Sequence, residues 1–277
     1  MRVLVTGANG QLGYDVIKAL SEQNIDCKGV DYADFDIADK AATQIAIQSY
    51  NPTAIIHCAA YTAVDKAEDE PEMCRKINED GTKNIAEACK LVDAKMIYIS
   101  TDYVFSGEGE YFYKPYDPTK PISVYGKTKL AGEKAVQETL EKYFIVRISW
   151  VFGKNGNNFV KTMLRLGKER DSINVVCDQI GSPTYTADIA LLLCDMIQTN
   201  KYGIYHATNE GTCSWAEFAQ EIFNLSNMNT IVIPIPTADY ITRAVRPMNS
   251  RMDKTCLDNA QLPKLPHWKD SLRKFFN

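Results

Sequence analysis

Along the first 150 positions, short apolar runs alternate with stretches of helical periodicity. Arg2-Val3-Leu4-Val5-Thr6 is a near-continuous apolar run closed by Gly7, which predicts a buried strand and a turn. From Gln11 to Glu22, Leu12, Val16, Ile17 and Leu20 share one helical face. Cys27 to Asp31 suits a second strand. Ala41 to Tyr50 suits a helix that stops ahead of Pro52, because the residue before proline avoids helical angles. Ala54 to Cys58 is a third strand, and Glu72 to Leu91 a long helix with Ile77, Ile85, Ala88 and Leu91 on its apolar side. Lys95 to Ser100, Val124 to Leu140 and Phe144 to Ile148 complete the series as strand, helix and strand. Strands without a polar face, alternating with helices, predict an α/β fold: a doubly wound, Rossmann-type parallel sheet covered on both sides.

The pattern changes beyond residue 150. Asn155 to Asn158 reads as a loop, Phe159 to Gly167 as a helix and Ile173 to Cys177 as a strand. Gln179 to Thr184 is turn chemistry, and Ala187 to Ile197 is a strongly apolar helix suited to rejoin the sheet. After Tyr205 the elements are short and interrupted by Pro234, Pro236, Pro247, Pro263 and Pro266. The expected organisation is a dinucleotide-binding domain over 1–150, with 185–205 returning to it. Residues 151–184 and 206–277 would form a smaller C-terminal α+β substrate-binding lobe.

Composition narrows the class. The chain has 277 residues, 45% of them hydrophobic and 24% charged, with net charge −4, so no nucleic-acid partner is expected. Its eight cysteines form no Cys-x-x-Cys pair, and several lie in apolar runs, as in Ile56-His57-Cys58-Ala59. That usage suits reduced thiols in a cytoplasmic protein. The three histidines are scattered, so no zinc site is expected. No secretion signal and no apolar stretch long enough to span a membrane is seen, so a membrane partner is not expected either.

Candidate chemistry sits at the strand ends. Gly7-Ala8-Asn9-Gly10-Gln11-Leu12-Gly13 joins the first strand to the first helix. Glycines there permit a tight turn and close approach to a pyrophosphate, which the helix N-terminus favours. The spacing is G-x-x-G-x-x-G rather than G-x-G-x-x-G. Asp31, ending the second strand, is placed to accept hydrogen bonds from an adenosine ribose. An acid there disfavours a 2′-phosphate and makes NADH the first choice. Nearby Lys28 could offset that charge, so NADPH stays open. Tyr125 and Lys129 stand one helical turn apart. An ammonium beside a phenol lowers the phenol's pKa and suits it to proton transfer near neutrality. Thr101, after the fourth strand, could orient that phenol or a substrate oxygen.

These segments together resemble the extended short-chain dehydrogenases/reductases. Within them the chain is similar to the dTDP-4-dehydrorhamnose reductase family. The resemblance rests on Ala59-Ala60-Tyr61-Thr62-Ala63-Val64-Asp65-Lys66-Ala67-Glu68, Ser100-Thr101-Asp102-Tyr103-Val104-Phe105 and Val124-Tyr125-Gly126-Lys127-Thr128-Lys129-Leu130-Ala131-Gly132-Glu133. Ser149-Trp150-Val151-Phe152, Gly156-Asn157-Asn158-Phe159 and Asp178 to Thr184 extend it over most of the chain. It implies that Gly10, Gln11 and Leu12 hold a pyrophosphate and Asp31 the ribose, with Gly7, Asn9 and Gly13 also cofactor-binding. Asp36 and Ile37 would border adenine, and Ala59, Ala60, Tyr61 and Thr62 the nicotinamide. Thr101, Asp102, Tyr103 and Trp150 would touch a nucleotide-sugar, and Arg246 its diphosphate. Thr101, Tyr125 and Lys129 would carry catalysis, with NADH or NADPH delivering hydride to a 4-keto sugar on dTDP. Some members place magnesium at a dimer interface through glutamates. Here the first helix carries Asp15 and no full carboxylate set is matched, so no metal is expected, and the protein would be a monomer or homodimer. Two other readings share the scaffold: a sugar-nucleotide epimerase, and a non-catalytic dinucleotide-binding regulatory subunit. A dehydratase is disfavoured by Tyr103, where Glu is more usual.

Overall fold

The computed structural model describes residues 1–277. Five strands, β1 (Arg2–Thr6), β2 (Asp26–Val30), β3 (Ala54–His57), β4 (Lys95–Thr101) and β5 (Tyr143–Ile148), join the strand Gly203–His206 in one six-stranded sheet. The order across it is Gly203–His206, β5, β4, β3, β1, β2, and every neighbouring pair is parallel.

Alternate side chains of each strand enter opposite layers. Val3, Val5, Ala54, Ile56, Ile97, Ile99, Phe144 and Val146 face one core beneath α1 (Gln11–Glu22) and the helix Thr186–Ile197. Leu4, Ile55, Met96, Tyr98 and Ile145 face the other, with Ile47 of α2 (Lys40–Tyr50), Ile85 and Val136. Burial on both faces is why the strands carry no polar alternation. Asp15 of α1 is buried and accepts from Thr186, tying the two helices of the first layer together.

A third core lies outside the sheet. Phe152, Val160, Met163, Ile173, Phe218, Ile222, Trp268 and Leu272 build it, from helices Phe159–Glu169, Trp215–Leu225 and Trp268–Phe276 and strands Val151–Phe152 and Ser172–Val176. Strand Ile231–Ile235 pairs in parallel with Ser172–Val176. Pro234 is tolerated there because a two-stranded ribbon has a free edge. The helix Trp215–Leu225 was not expected from the proline-interrupted pattern. It is started by a capping box, with Ser214 and Glu217 bonding each other's backbone N–H.

The expected helix Glu72–Leu91 is broken in character. Helices Pro71–Arg75 and Thr82–Leu91 are joined by a π-turn, Lys76–Gly81. The wide turn carries Asn78, 1% exposed, onto the backbone of Tyr61: Oδ1 accepts from its N–H at 2.8 Å and Nδ2 donates to its carbonyl at 3.1 Å. Such turns recur at functional sites. No helix is long and apolar enough to cross a membrane.

Candidate active site

The sheet registers Thr6 with Val30 and His57, and Thr101 with Ile148, so these residues share its carboxyl edge. Along that edge, where the chain winds outward on both sides of β1, opens a cleft of about 790 Å³. Ligands of open α/β sheets bind at such switch points. It is lined by Gly7, Gly10, Gln11, Leu12, Gly13, Asp31, Asp36, Ile37, Ala59, Ala60, Thr62, Thr101, Asp102, Tyr103, Tyr125, Lys129 and Trp150.

The glycine turn is shaped by close backbone contact. Gly7 has φ +66°, and a Cβ on it would lie 2.7 Å from Ala59 N. A Cβ on Gly13 would lie 2.1 Å from the Gly7 carbonyl oxygen. Gly10 caps α1 without a side-chain hydrogen bond, and the first turn of α1 carries no acid. The first N–H groups of the helix and its positive end therefore face the cleft unneutralised. This cradle fits a dinucleotide pyrophosphate. At its rim Asp31 Oδ2 accepts from Asn9 N–H at 2.9 Å, and Oδ1 from Tyr32 N–H at 2.8 Å. The nearby Lys28 does not reach the end of β2. It pairs with Leu4 in mid-strand, and its Nζ lies 5.7 Å from the Tyr50 ring centroid.

Opposite the turn, Ser123 caps the helix Val124–Thr139 by accepting from Gly126 N–H at 3.1 Å. Gly126 allows the helix to touch the end of β4, since a Cβ there would lie 2.3 Å from the Tyr103 carbonyl oxygen. Tyr125 is thereby seated beside Thr101, and Tyr103 packs edge-on to it with centroids 5.4 Å apart. Thr101 Oγ1 donates to Asp102 Oδ1 at 3.0 Å, and Asp102 accepts at its other oxygen from Ser250. Burial raises Asp102 to about 6 against the opposing pull of those hydroxyls.

The phenol departs from expectation. Tyr125 is pushed up by burial, with the Thr101 hydroxyl pulling the other way. Lys129 is itself brought down to about 7 by burial, opposed first by Glu133. Its Nζ donates to the Ile99 carbonyl at 2.7 Å rather than to the phenol. Desolvation dominates, so Tyr125 retains its proton at neutral pH.

Three expected contacts fall outside the lining of the cleft. Asn9 contributes its backbone N–H to Asp31, not its side chain to the cleft. The Tyr61 phenol turns away and donates to Glu70 Oε2 at 2.9 Å. Arg246 stands beside the wall, where it pairs with Asp65 and its NH1 donates to Tyr103 OH at 3.4 Å. Trp150 holds φ +50° and stacks on Trp215, centroids 3.6 Å apart. Trp215, Asn78, Ser250 and Ser123 were missed; of these four, Ser123, three residues before Gly126, had a readable local signal as a helix cap.

The family described as RmlD substrate binding domain matches residues 1–277. A dTDP-4-dehydrorhamnose reductase of Aggregatibacter actinomycetemcomitans is 41% identical over 285 residues, covering 98% of this chain and 97% of that protein. A crystal structure of dTDP-4-dehydrorhamnose reductase from Bacillus anthracis, in complex with NADP, aligns with TM-score 0.97 and 47% identity over 99% of this chain and 98% of that one. The dTDP-4-dehydrorhamnose reductase ortholog of Clostridium acetobutylicum aligns with TM-score 0.97 and 42% identity, covering 100% and 98%. The chain belongs to the RmlD substrate binding domain family.

Proposed function

We propose that the protein reduces the 4-keto group of dTDP-4-dehydro-β-L-rhamnose to give dTDP-L-rhamnose, using NADH or NADPH. The observation that carries this reading is the meeting of Thr101, Tyr125 and Lys129 with the glycine turn in one cleft. The named relatives supply the substrate, and the NADP of the Bacillus anthracis structure supports NADPH as a cofactor. Asp31, whose carboxylate accepts from the Asn9 and Tyr32 N–H groups at the rim of the cleft, supports NADH as well.

Gly10, Gln11 and Leu12 would hold the pyrophosphate at the start of α1, with Gly7 and Gly13 letting the turn close beneath it. Asp31 would take the ribose, Asp36 and Ile37 the adenine, and Ala59, Ala60 and Thr62 the nicotinamide side. When bound, the dinucleotide supplies a hydride. Tyr125, which keeps its proton at neutral pH, donates it to the oxygen at carbon 4. Thr101 Oγ1, which donates to Asp102 at 3.0 Å before substrate binds, would turn its proton to that oxygen and orient it. Lys129 bonds the nicotinamide ribose and favours the phenolate left behind. Tyr103 and Trp150 flank the sugar, and Arg246 exchanges Asp65 for the diphosphate. The eight unpaired cysteines support a reducing, cytoplasmic setting.

Tyr125→Phe tests the reading. General acid catalysis contributes about 10²–10⁴-fold, so kcat should fall by that factor while dinucleotide affinity is kept. Near-wild-type reduction by the variant would refute the assignment.

A further inference from the structure

Lys129 is held from several sides. Its Nζ lies on the Ile99 carbonyl and 4.1 Å from the Tyr98 ring centroid. One helical turn later stands Glu133, 1% exposed. Its carboxylate is gripped from two strands. Ser100 Oγ donates to Oε1 at 2.6 Å, Arg147 Nε to Oε1 at 2.8 Å and Arg147 NH2 to Oε2 at 2.7 Å. Ser100 and Arg147 are partners across β4 and β5. Arg147 is 2% exposed, donates to the Pro115 carbonyl at 2.8 Å and lies against the Phe105 ring. Ser100 sits between Ile99, which anchors Lys129, and Thr101. The clamp therefore fixes helix to strand where the three candidate catalytic side chains converge.

The charges around Lys129 single out the same residue. His57 and Cys58 face it from the end of β3, Cys74 from helix Pro71–Arg75 and Tyr98 from β4, and Tyr125 stands one turn earlier on its own helix. Burial drives His57 down to about 3 and Cys58 up to about 12, and raises Cys74, Tyr98 and Tyr125. All five are uncharged at neutral pH. Glu133, fork-paired with Arg147, presents the negative charge. A buried ammonium without such a partner loses its proton instead.

We propose that Glu133 is a positioning residue for Lys129: clamped by Ser100 and Arg147 one helical turn away, its carboxylate is the counter-charge that favours the ammonium form of the buried amine. This rests on the reductase reading, in which Lys129 acts as a cation.

The test is an NMR titration of lysine-labelled protein, with the Lys129 signal assigned by Lys129→Met. It compares the wild type with Glu133→Gln/Arg147→Met, which removes both charges and strands neither. The wild-type midpoint should lie near 7, and the double variant's about one unit or more lower, a tenfold change in the ammonium-to-amine ratio. The alkaline limb of its turnover profile should move down with it, whereas Glu133→Asp should keep the midpoint within about half a unit. An unmoved midpoint in the folded double variant overturns the proposal. If the double variant does not fold, the wild type decides: a midpoint below about 6.5 overturns it and a higher one supports it. The titration needs no substrate, so failure of this proposal is separable from failure of the reductase reading, which wild-type turnover judges.

Discussion

Replacing Gly13 by alanine places a methyl group 2.1 Å from the Gly7 carbonyl oxygen, 2.8 Å from Gly7 C and 2.9 Å from Ala8 Cα. All three are backbone atoms that cannot swing aside. Ordinary contact begins near 3.5 Å, so α1 must withdraw from the turn by roughly 1 Å. Overpacking of this kind costs about 1–3 kcal/mol of stability. The withdrawal also carries the first N–H groups of α1 off the pyrophosphate. Hydrogen bonds to a charged group are worth about 1.5–3 kcal/mol each, and a helix terminus adds up to about 2 kcal/mol in a partly buried site. Losing even one such bond weakens dinucleotide binding by about tenfold or more. NADPH fluorescence titration of Gly13→Ala, with urea melts to confirm folding, measures both effects. A folded variant that binds within about twofold of wild type would show that α1 does not approach the pyrophosphate, and the cradle argument would fail.

Two further predictions concern charge. His57 and His206 are driven down to about 3 by burial, so the unfolded chain binds more protons as pH falls from their ordinary value of 6.5. Asp102, raised to about 6, opposes one of them at lower pH. Stability should therefore decline between pH 6.5 and 4.5 with a net slope near one proton, about 1.4 kcal/mol per unit. His206→Gln should flatten the slope, and urea melts showing constant stability across that window in the wild type would contradict it. Lys129, brought down to about 7, acts in the other range, where stability should rise with pH from 7 toward its unfolded value. Asp31→Ala should raise the ratio of NADPH to NADH specificity by about tenfold, because it removes a carboxylate that repels a 2′-phosphate; an unchanged ratio of kcat/KM values would place the ribose elsewhere.

Much of the fold was legible because both faces of the sheet are buried. Runs such as Val3-Leu4-Val5 and Ala54-Ile55-Ile56 feed two cores alternately and so read as unbroken apolar strands. The turn glycines and the spacing from Tyr125 to Lys129 are local features, and the cleft gathers them. What escaped was set by distant or competing contacts. The π-turn at Lys76–Gly81 follows from Asn78 reaching back to Tyr61, a tertiary bond with no periodic signature. Ser250 meets Asp102 only through the fold. The Tyr61 phenol was drawn to Glu70, which no reading of the motif foresaw. Ser214 and Glu217 did carry a capping-box signal, overshadowed by the prolines downstream. The tuning of Tyr125 was misjudged because a spacing reports proximity and not burial, and burial dominates its pKa.

The most direct test mixes the protein with dTDP-4-dehydro-β-L-rhamnose and NADPH or NADH, follows absorbance at 340 nm, and identifies the product sugar by NMR. Stoichiometric loss of absorbance with formation of dTDP-L-rhamnose is expected, and none with Tyr125→Phe on the same timescale. Tight dinucleotide binding without oxidation would contradict it and assign the cleft to a regulatory role.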